Sequence, residues 1–284
     1  MPDCNHLAAP DQTASAHAGW HASLRLRFAD DAGTTRLTER VHSGPLRVQK
    51  ALYPEGPRHC QVIVVHPPGG IAGGDSLDLD LRLDARTQVL ATSPGAAKWY
   101  RANGRTARQH VRVAVDADAA LEWLPQETIF FDGADVLLEH DVDLAPGARY
   151  IGAEILCFGR TARGERFARG RVRSRTRIRV DGRPVWWEQG ALHGGDALDS
   201  PIALAGHTVC ATLLAVGDPL PPAGLAALRA AAPQIAVSQV KSVFVARDLG
   251  SDGEAARAGV LAAWAAVRPH LVGRAAAVPR IWHT

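Results

Sequence analysis

The chain alternates. Leu24, Leu26 and Phe28 are separated by Arg25 and Arg27. Leu77, Leu79, Leu81 and Leu83 are separated by Asp78, Asp80 and Arg82, and Val111, Val113 and Val115 by Arg112 and Ala114. Successive side chains on a strand point to opposite faces, so this two-residue period predicts strands with one buried face. Turn signals stand between them: Asp31-Ala32-Gly33, Ser43-Gly44-Pro45, Pro94-Gly95, Asp132-Gly133, Pro146-Gly147 and Asp181-Gly182. Three short stretches echo one another: DARTQVL at 84–90, DADAALE at 116–122 and LAPGARY at 144–150. They recur at about 30 residues, each where a charged strand gives way to an apolar one. Such a period points to stacked strand pairs, or else to one turn chemistry used three times.

The last third has another rhythm. Residues 207–217 read as a strand, 222–232 as an Ala/Leu-rich helix and 237–248 as a further strand. Ser251-Asp252-Gly253-Glu254 has capping-box spacing with Ser251 as N-cap. The helix it opens buries Val260, Trp264 and Val267, and Pro269 is expected to end it. The fold predicted is mainly β: a stacked-strand, solenoid-like, two-layer body at 19–205. A C-terminal strand-helix-strand-helix segment at 206–284 packs on it as one structural unit, and 1–18 is expected to be a flexible tail.

Composition changes this picture little. With 284 residues, 46% of them hydrophobic, the chain can bury a sizeable core. Net charge is +3. The cations are nearly all Arg, the lysines being Lys50, Lys98 and Lys241. With the abundant Ala and Gly this reads as coding bias, so charge alone does not argue for nucleic acid. The N-terminus lacks a basic start and an apolar run, against a secretory signal. No stretch reaches the roughly 20 apolar residues of a membrane span. Cys4, Cys60, Cys157 and Cys210 lie far apart, against a disulfide framework or a Cys-based zinc site. The expectation is a cytoplasmic protein without membrane contact.

The conspicuous glycine stretch is HPPGGIAGGDSLDLDL at 66–81. Gly69 and Gly74 have phosphate-loop spacing, with Ser76 at the Ser/Thr position, but Asp75 stands where the lysine belongs and would repel a phosphate. An alternating strand follows instead of the helix whose N-terminal amides would hold the anion. The stretch is expected to be a wide strand-to-strand loop whose glycines supply positive φ. His17 and His21 straddle Gly19, His59 and Cys60 face opposite ways, and there is no HExxH, so no closed metal site is expected. No GxSxG elbow occurs.

Arg160, Arg163, Arg166 and Arg169 lead into Arg171, Arg173, Arg175, Arg177 and Arg179. On a strand the last five form a guanidinium row, with Val172, Thr176, Ile178 and Val180 opposite. The row reads as a solvated face that resists edge pairing. The alternative is an Arg-rich nucleic-acid-binding β protein, though no aromatics interleave to stack bases. Two acids sit among buried residue types: Glu154 between Ala153 and Ile155, and Glu188 after Trp186-Trp187. If internal, each needs a partner, water or a cation.

Longer blocks carry a resemblance. HPPGGIAGGDSL, SPGAAKWYR, LEWLPQETIFFDGA, the GR(x)3GExFxxG pattern at 159–170 and the terminal RPHL…PRIW occur in order from Trp20 onward. The chain resembles the urease accessory protein D (UreD) family. That resemblance implies a non-enzymatic chaperone that binds the urease apoprotein and the UreF and UreG accessory proteins. It implies Ni²⁺ delivery to the urease site, with nickel held only transiently and no tightly bound cofactor. It also implies a stacked-strand β body with two helices, and an internal polar nickel route whose acidic positions match Asp75, Glu154 and Glu188.

Overall fold

The computed structural model describes residues 19–283; the expected tail at 1–18 lies outside them. Two sheets face each other. The first has seven strands, in spatial order Arg183–His193, Arg171–Val180, Asp135–Leu144, Ala107–Val115, Ser76–Leu83, His21–Asp31 and Thr34–Ser43. The second runs Ala236–Val240, Val243–Gly250, Val209–Val216, Arg149–Phe158, Ala120–Leu124, Gln88–Thr92, His59–Val65 and Arg47–Val48. Short strands Thr128–Phe130 and Ala97–Trp99 pair beside Arg149–Phe158.

Three times the chain crosses from the first sheet to the second: Ser76–Leu83 to Gln88–Thr92, Ala107–Val115 to Ala120–Leu124, and Asp135–Leu144 to Arg149–Phe158. Each crossing is one of the three echoing stretches. Each turn has one left-handed residue, Arg86, Asp118 or Gly147, with φ of +64°, +57° and +79°. Each is closed by an i-to-i+3 hydrogen bond, from Thr87 to Asp84, Ala119 to Asp116 and Ala148 to Ala145. The turns also bond to one another, Arg86 N donating to Ala117 O and Arg149 N to Ala119 O. The strands they join therefore stack in parallel and in register. The repeat is architectural, and the body is the expected solenoid-like pair of layers.

Phe28, Leu81, Val113 and Val142 from the first sheet pack against Val62, Val89, Leu121 and Phe158 from the second. On the outer face of the first sheet, charge alternates strand by strand. The Arg row of Arg171–Val180 lies in register with Asp135, Glu139, Asp141 and Asp143. Arg171 pairs with Asp135 at 3.1 Å, Arg175 with Glu139 at 2.8 Å, Arg177 with Asp141 at 3.0 Å and Arg179 with Asp143 at 2.5 Å. The next strand contributes His110 and Arg112, facing Asp141 on one side and Asp78 and Asp80 on the other. The arginines are therefore balanced by carboxylates, which removes the charge excess that a nucleic-acid surface would need.

A third layer covers the second sheet. The long helix Gly253–Val272 lays Ala256, Val260, Ala263, Trp264, Val267 and Leu271 on Ile151, Ile155, Leu213 and Phe244. Beneath it, Glu122 and Arg268 are fully buried and His59 nearly so. Arg268 donates to Glu122 at 2.8 and 3.1 Å and to both oxygens of Glu55 at 2.8 Å. Trp264 Nε1 donates to Glu122 at 2.6 Å, and His59 Nε2 lies 2.9 Å from the same carboxylate. Burial pushes the Glu122 carboxyl up, but His59 and Arg268 outweigh it and hold it below the usual range.

Four local expectations are corrected. Asp252, not Ser251, caps the long helix; its Oδ1 accepts from Glu254 N and Ala255 N at 2.8 and 3.2 Å. Both are capping residue types, and the chain enters the helix one residue later than the box spacing suggests. Pro269 does not end the helix, which continues to Val272 before Gly273 turns it at φ +73°. So near the C-terminus, Pro removes only one hydrogen bond of the helix, and Gly273 N still donates to its carbonyl. The stretch 237–248 is a hairpin, Ala236–Val240 and Val243–Gly250, folded at Lys241 with φ +54°. No Gly or Pro marks that turn. In the 66–81 loop, only Gly74 among the four glycines takes positive φ, +94°. Gly70 serves a close approach instead, since a Cβ there would meet the Tyr100 ring at 2.4 Å.

Candidate functional site: a polar cavity between the sheets

Where the strand pairs of the second sheet turn antiparallel, the two sheets do not close on each other. A cavity of about 640 Å³ opens between them. Its walls come from the inward rows of Asp135–Leu144, Arg171–Val180 and Arg183–His193 on one side. Arg149–Phe158, Val209–Val216 and Val243–Gly250 supply the other. Inward rows elsewhere are mostly apolar, but here they carry His140, Ser174, Thr176 and Glu188 against Tyr150, Glu154, Cys210, Thr212 and Arg247. Period two places each of them: His140 is in phase with Val136, Leu138 and Val142, and Glu154 with Tyr150, Leu156 and Phe158.

Glu154 sits deep in this cavity, in register with Thr212. Burial and the charge of Glu188 push its carboxyl up to about 7. Its protonated and charged forms are therefore comparably populated near neutrality. Glu188 lies nearer the rim, half-buried, bound to Arg247 at 2.5 Å. That pair ties the first sheet to the second across the opening. His140 Nε2 and Tyr150 Oη hydrogen-bond at 3.1 Å. Burial holds the His140 imidazole down at about 4, with Asp141 opposing and His110 adding to the shift. It is thus uncharged at neutral pH. Burial pushes the Cys210 thiol up to about 12, so it stays protonated.

Asp75 is not in this cavity. It closes its own loop, Oδ1 accepting from Trp20 N and Oδ2 from Ala72 N, both at 2.8 Å. The same loop lines a second, smaller cavity of about 280 Å³ with His66, Gln109, Trp123 and Gln126. His66 is held below its usual pKa by burial, and Asp75 acts against that shift. The structure thus brings Glu154 and Glu188 together and places Asp75 near the other end of the inter-sheet space. Sequence reading missed His140, Tyr150 and Arg247. All three stand in apolar phase on their strands, and that was the available signal.

Among the described residues, no group of three or more His, Cys, Asp or Glu side chains gathers closely enough to hold a metal ion. No described helix is long and apolar enough to cross a membrane. The terminal Trp282 packs in the helix layer, its Nε1 donating to Thr92 at 2.8 Å and its ring centroid 6.3 Å from that of Trp264.

The family described as UreD urease accessory protein matches residues 21–283. The urease accessory protein UreD of Janthinobacterium sp. (strain Marseille) is 57% identical over 270 residues, covering 93% of this chain and 91% of that protein. UreD of Nitrosospira multiformis is 49% identical, covering 93% of this chain and 97% of its own. UreD of Pseudomonas aeruginosa is 48% identical, covering 95% and 97%. With its whole β body and helix layer inside the match, this chain belongs to the UreD urease accessory protein family, and its role lies in urease maturation.

Proposed function

We propose that this protein is a non-enzymatic chaperone of urease maturation that passes Ni²⁺ through the inter-sheet cavity. In this reading it binds the urease apoprotein together with the UreF and UreG accessory proteins in the cytoplasm. It keeps no tightly bound cofactor, nickel being cargo. The observation that carries the reading is the pairing of Glu154 and Glu188 in one cavity, with the uncharged imidazole of His140 beside them. Ni²⁺ is borderline in softness and accepts carboxylate, imidazole and water.

The arrangement suits passage better than storage. A closed cage of four ligands would hold the ion; scattered single ligands release it. Glu154 gives up its proton as a cation arrives and takes it back as the cation leaves, which keeps an empty cavity from holding a bare buried charge. Arg247 pairs with Glu188 at the rim and competes with a cation for it. Asp75 joins the route from the loop that lines the second cavity, with its two oxygens already holding backbone amides.

Co-expression with a urease operon lacking its own copy of this gene tests the reading. The expected result is nickel-loaded, active urease, with UreF and UreG retained on the tagged chain. Urease that stays nickel-free, or a chain that retains neither protein, would contradict it.

A further inference from the structure

The two inter-sheet cavities share one side chain, Trp123, on Ala120–Leu124. On the inner face of the second sheet its register neighbours are Ala91 and Gly152. Neither is bulky enough to wedge the indole in place. Tyr150 folds over Gly152, where a Cβ would meet its hydroxyl at 2.0 Å. From the opposite sheet His140 meets the indole edge-on, centroids 6.3 Å apart at 84°, and meets Tyr150 at 5.9 Å. An aromatic group of three thus spans the space between the sheets where the larger cavity ends.

We propose that Trp123 is a movable partition whose displacement joins the two cavities into one passage, from the loop of Asp75 to the Glu188–Arg247 rim. The proposal rests on reading the larger cavity as an ion route. Closed, the indole stands between His66 and Gln109 on one side and Glu154 on the other. Moved aside, it leaves Glu154, Glu188 and His140 on one side of the gap and His66, Gln109 and Gln126 on the other, and its π face tolerates a passing cation. The free volume needed for that movement lies in the two cavities. Trp264 is the contrast: its Nε1 is held by Glu122 at 2.6 Å.

The test uses the full chain labelled with 5-fluorotryptophan, the Trp123 resonance being assigned by its loss in Trp123→Phe. Fluorine relaxation dispersion is expected to show microsecond-to-millisecond exchange at Trp123 and none at Trp264. Nickel transfer to urease apoprotein, with the accessory proteins present and nickel limiting, is expected to rise at least about threefold in Trp123→Leu. A Trp123 resonance without exchange overturns the proposal, as does a Trp123→Leu transfer rate equal to or below wild type. Glu188→Gln in the same assay separates the two ideas. If it slows transfer while Trp123→Leu changes nothing, the route stands and the partition falls. If it too changes nothing, the route itself falls.

Discussion

Arg268→Met removes the centre of the cluster that fastens the long helix to the second sheet. The substitution keeps much of the side-chain volume, so the loss is electrostatic. It leaves Glu122, fully buried, with His59 and Trp264 but without its cation, and frees Glu55 of its bidentate partner. Breaking one side of a buried ion pair costs about 3–5 kcal/mol. That is a large part of the roughly 5–15 kcal/mol by which a folded domain exceeds its unfolded state. With an unfolding entropy of about 2.1 cal/mol/K per residue, a chain of this length loses about 7 °C in Tm for about 4 kcal/mol. Replacing both partners, as Glu122→Leu with Arg268→Met, restores part of the loss, because the fully buried Glu122 charge is gone, while Glu55 keeps only His59 at 3.4 Å. The pH dependence has a definite sign. The Glu122 carboxyl is held below its ordinary value in the fold, so its contribution is present above that value and fades as acid titrates the folded form. Scanning calorimetry of the four proteins at pH 7 and at pH 4 measures all of this. A Tm for Arg268→Met within about 1 °C of wild type at pH 7 would refute the reasoning, as would a double variant less stable than either single.

Other consequences are independent of that cluster. Asp75→Ala removes an acceptor from two backbone amides and should cost about 1–2 kcal/mol, while Asp75→Asn, which keeps one acceptor, should cost less. Equal urea midpoints for all three proteins would show that the cap contributes nothing. Glu154 has its carboxyl raised to about 7, so its burial penalty is absent in acid, grows as pH rises from the ordinary carboxylate range to about 7, and levels off above that. Glu154→Gln should therefore gain about 2–3 kcal/mol over wild type between pH 5 and pH 8. A pH-independent difference would mean that the carboxyl is not held in a desolvated site. Because the Arg row is paired, a gel shift in low salt should show no retention of duplex or single-stranded nucleic acid at micromolar protein. Retention with a steep salt dependence would revive the Arg-rich binding alternative.

The body of the fold was legible because its physics is local. Strict period two fixes which face each strand buries, and the three crossing turns repeat the same left-handed geometry at 86, 118 and 147. What was not legible depends on the partner strand or helix. The Arg row looked like an isolated stripe until its register with Asp135, Glu139, Asp141 and Asp143 was known. Arg268 and Glu122 are far apart in sequence and meet only through packing, although Arg268 does fall on the buried stripe of its helix with Trp264 and Leu271. The acids were spotted as misfits among apolar neighbours, and Glu154 and Glu188 do share a cavity. Asp75 looked equivalent from its motif, but its oxygens close a loop. A motif marks a position without saying which groups its side chain meets.

The central claim is that nickel moves past Glu154 and Glu188. The most direct measurement is nickel content per urease after maturation at limiting nickel, with Glu154→Gln, Glu188→Gln and the double variant replacing wild type. Retention of the partner proteins is scored on the same samples. The account predicts complexes assembled as in wild type, with nickel content lowered several-fold in each single variant and further in the double. Complexes that assemble normally and load urease with a full complement of nickel in the double variant would contradict it.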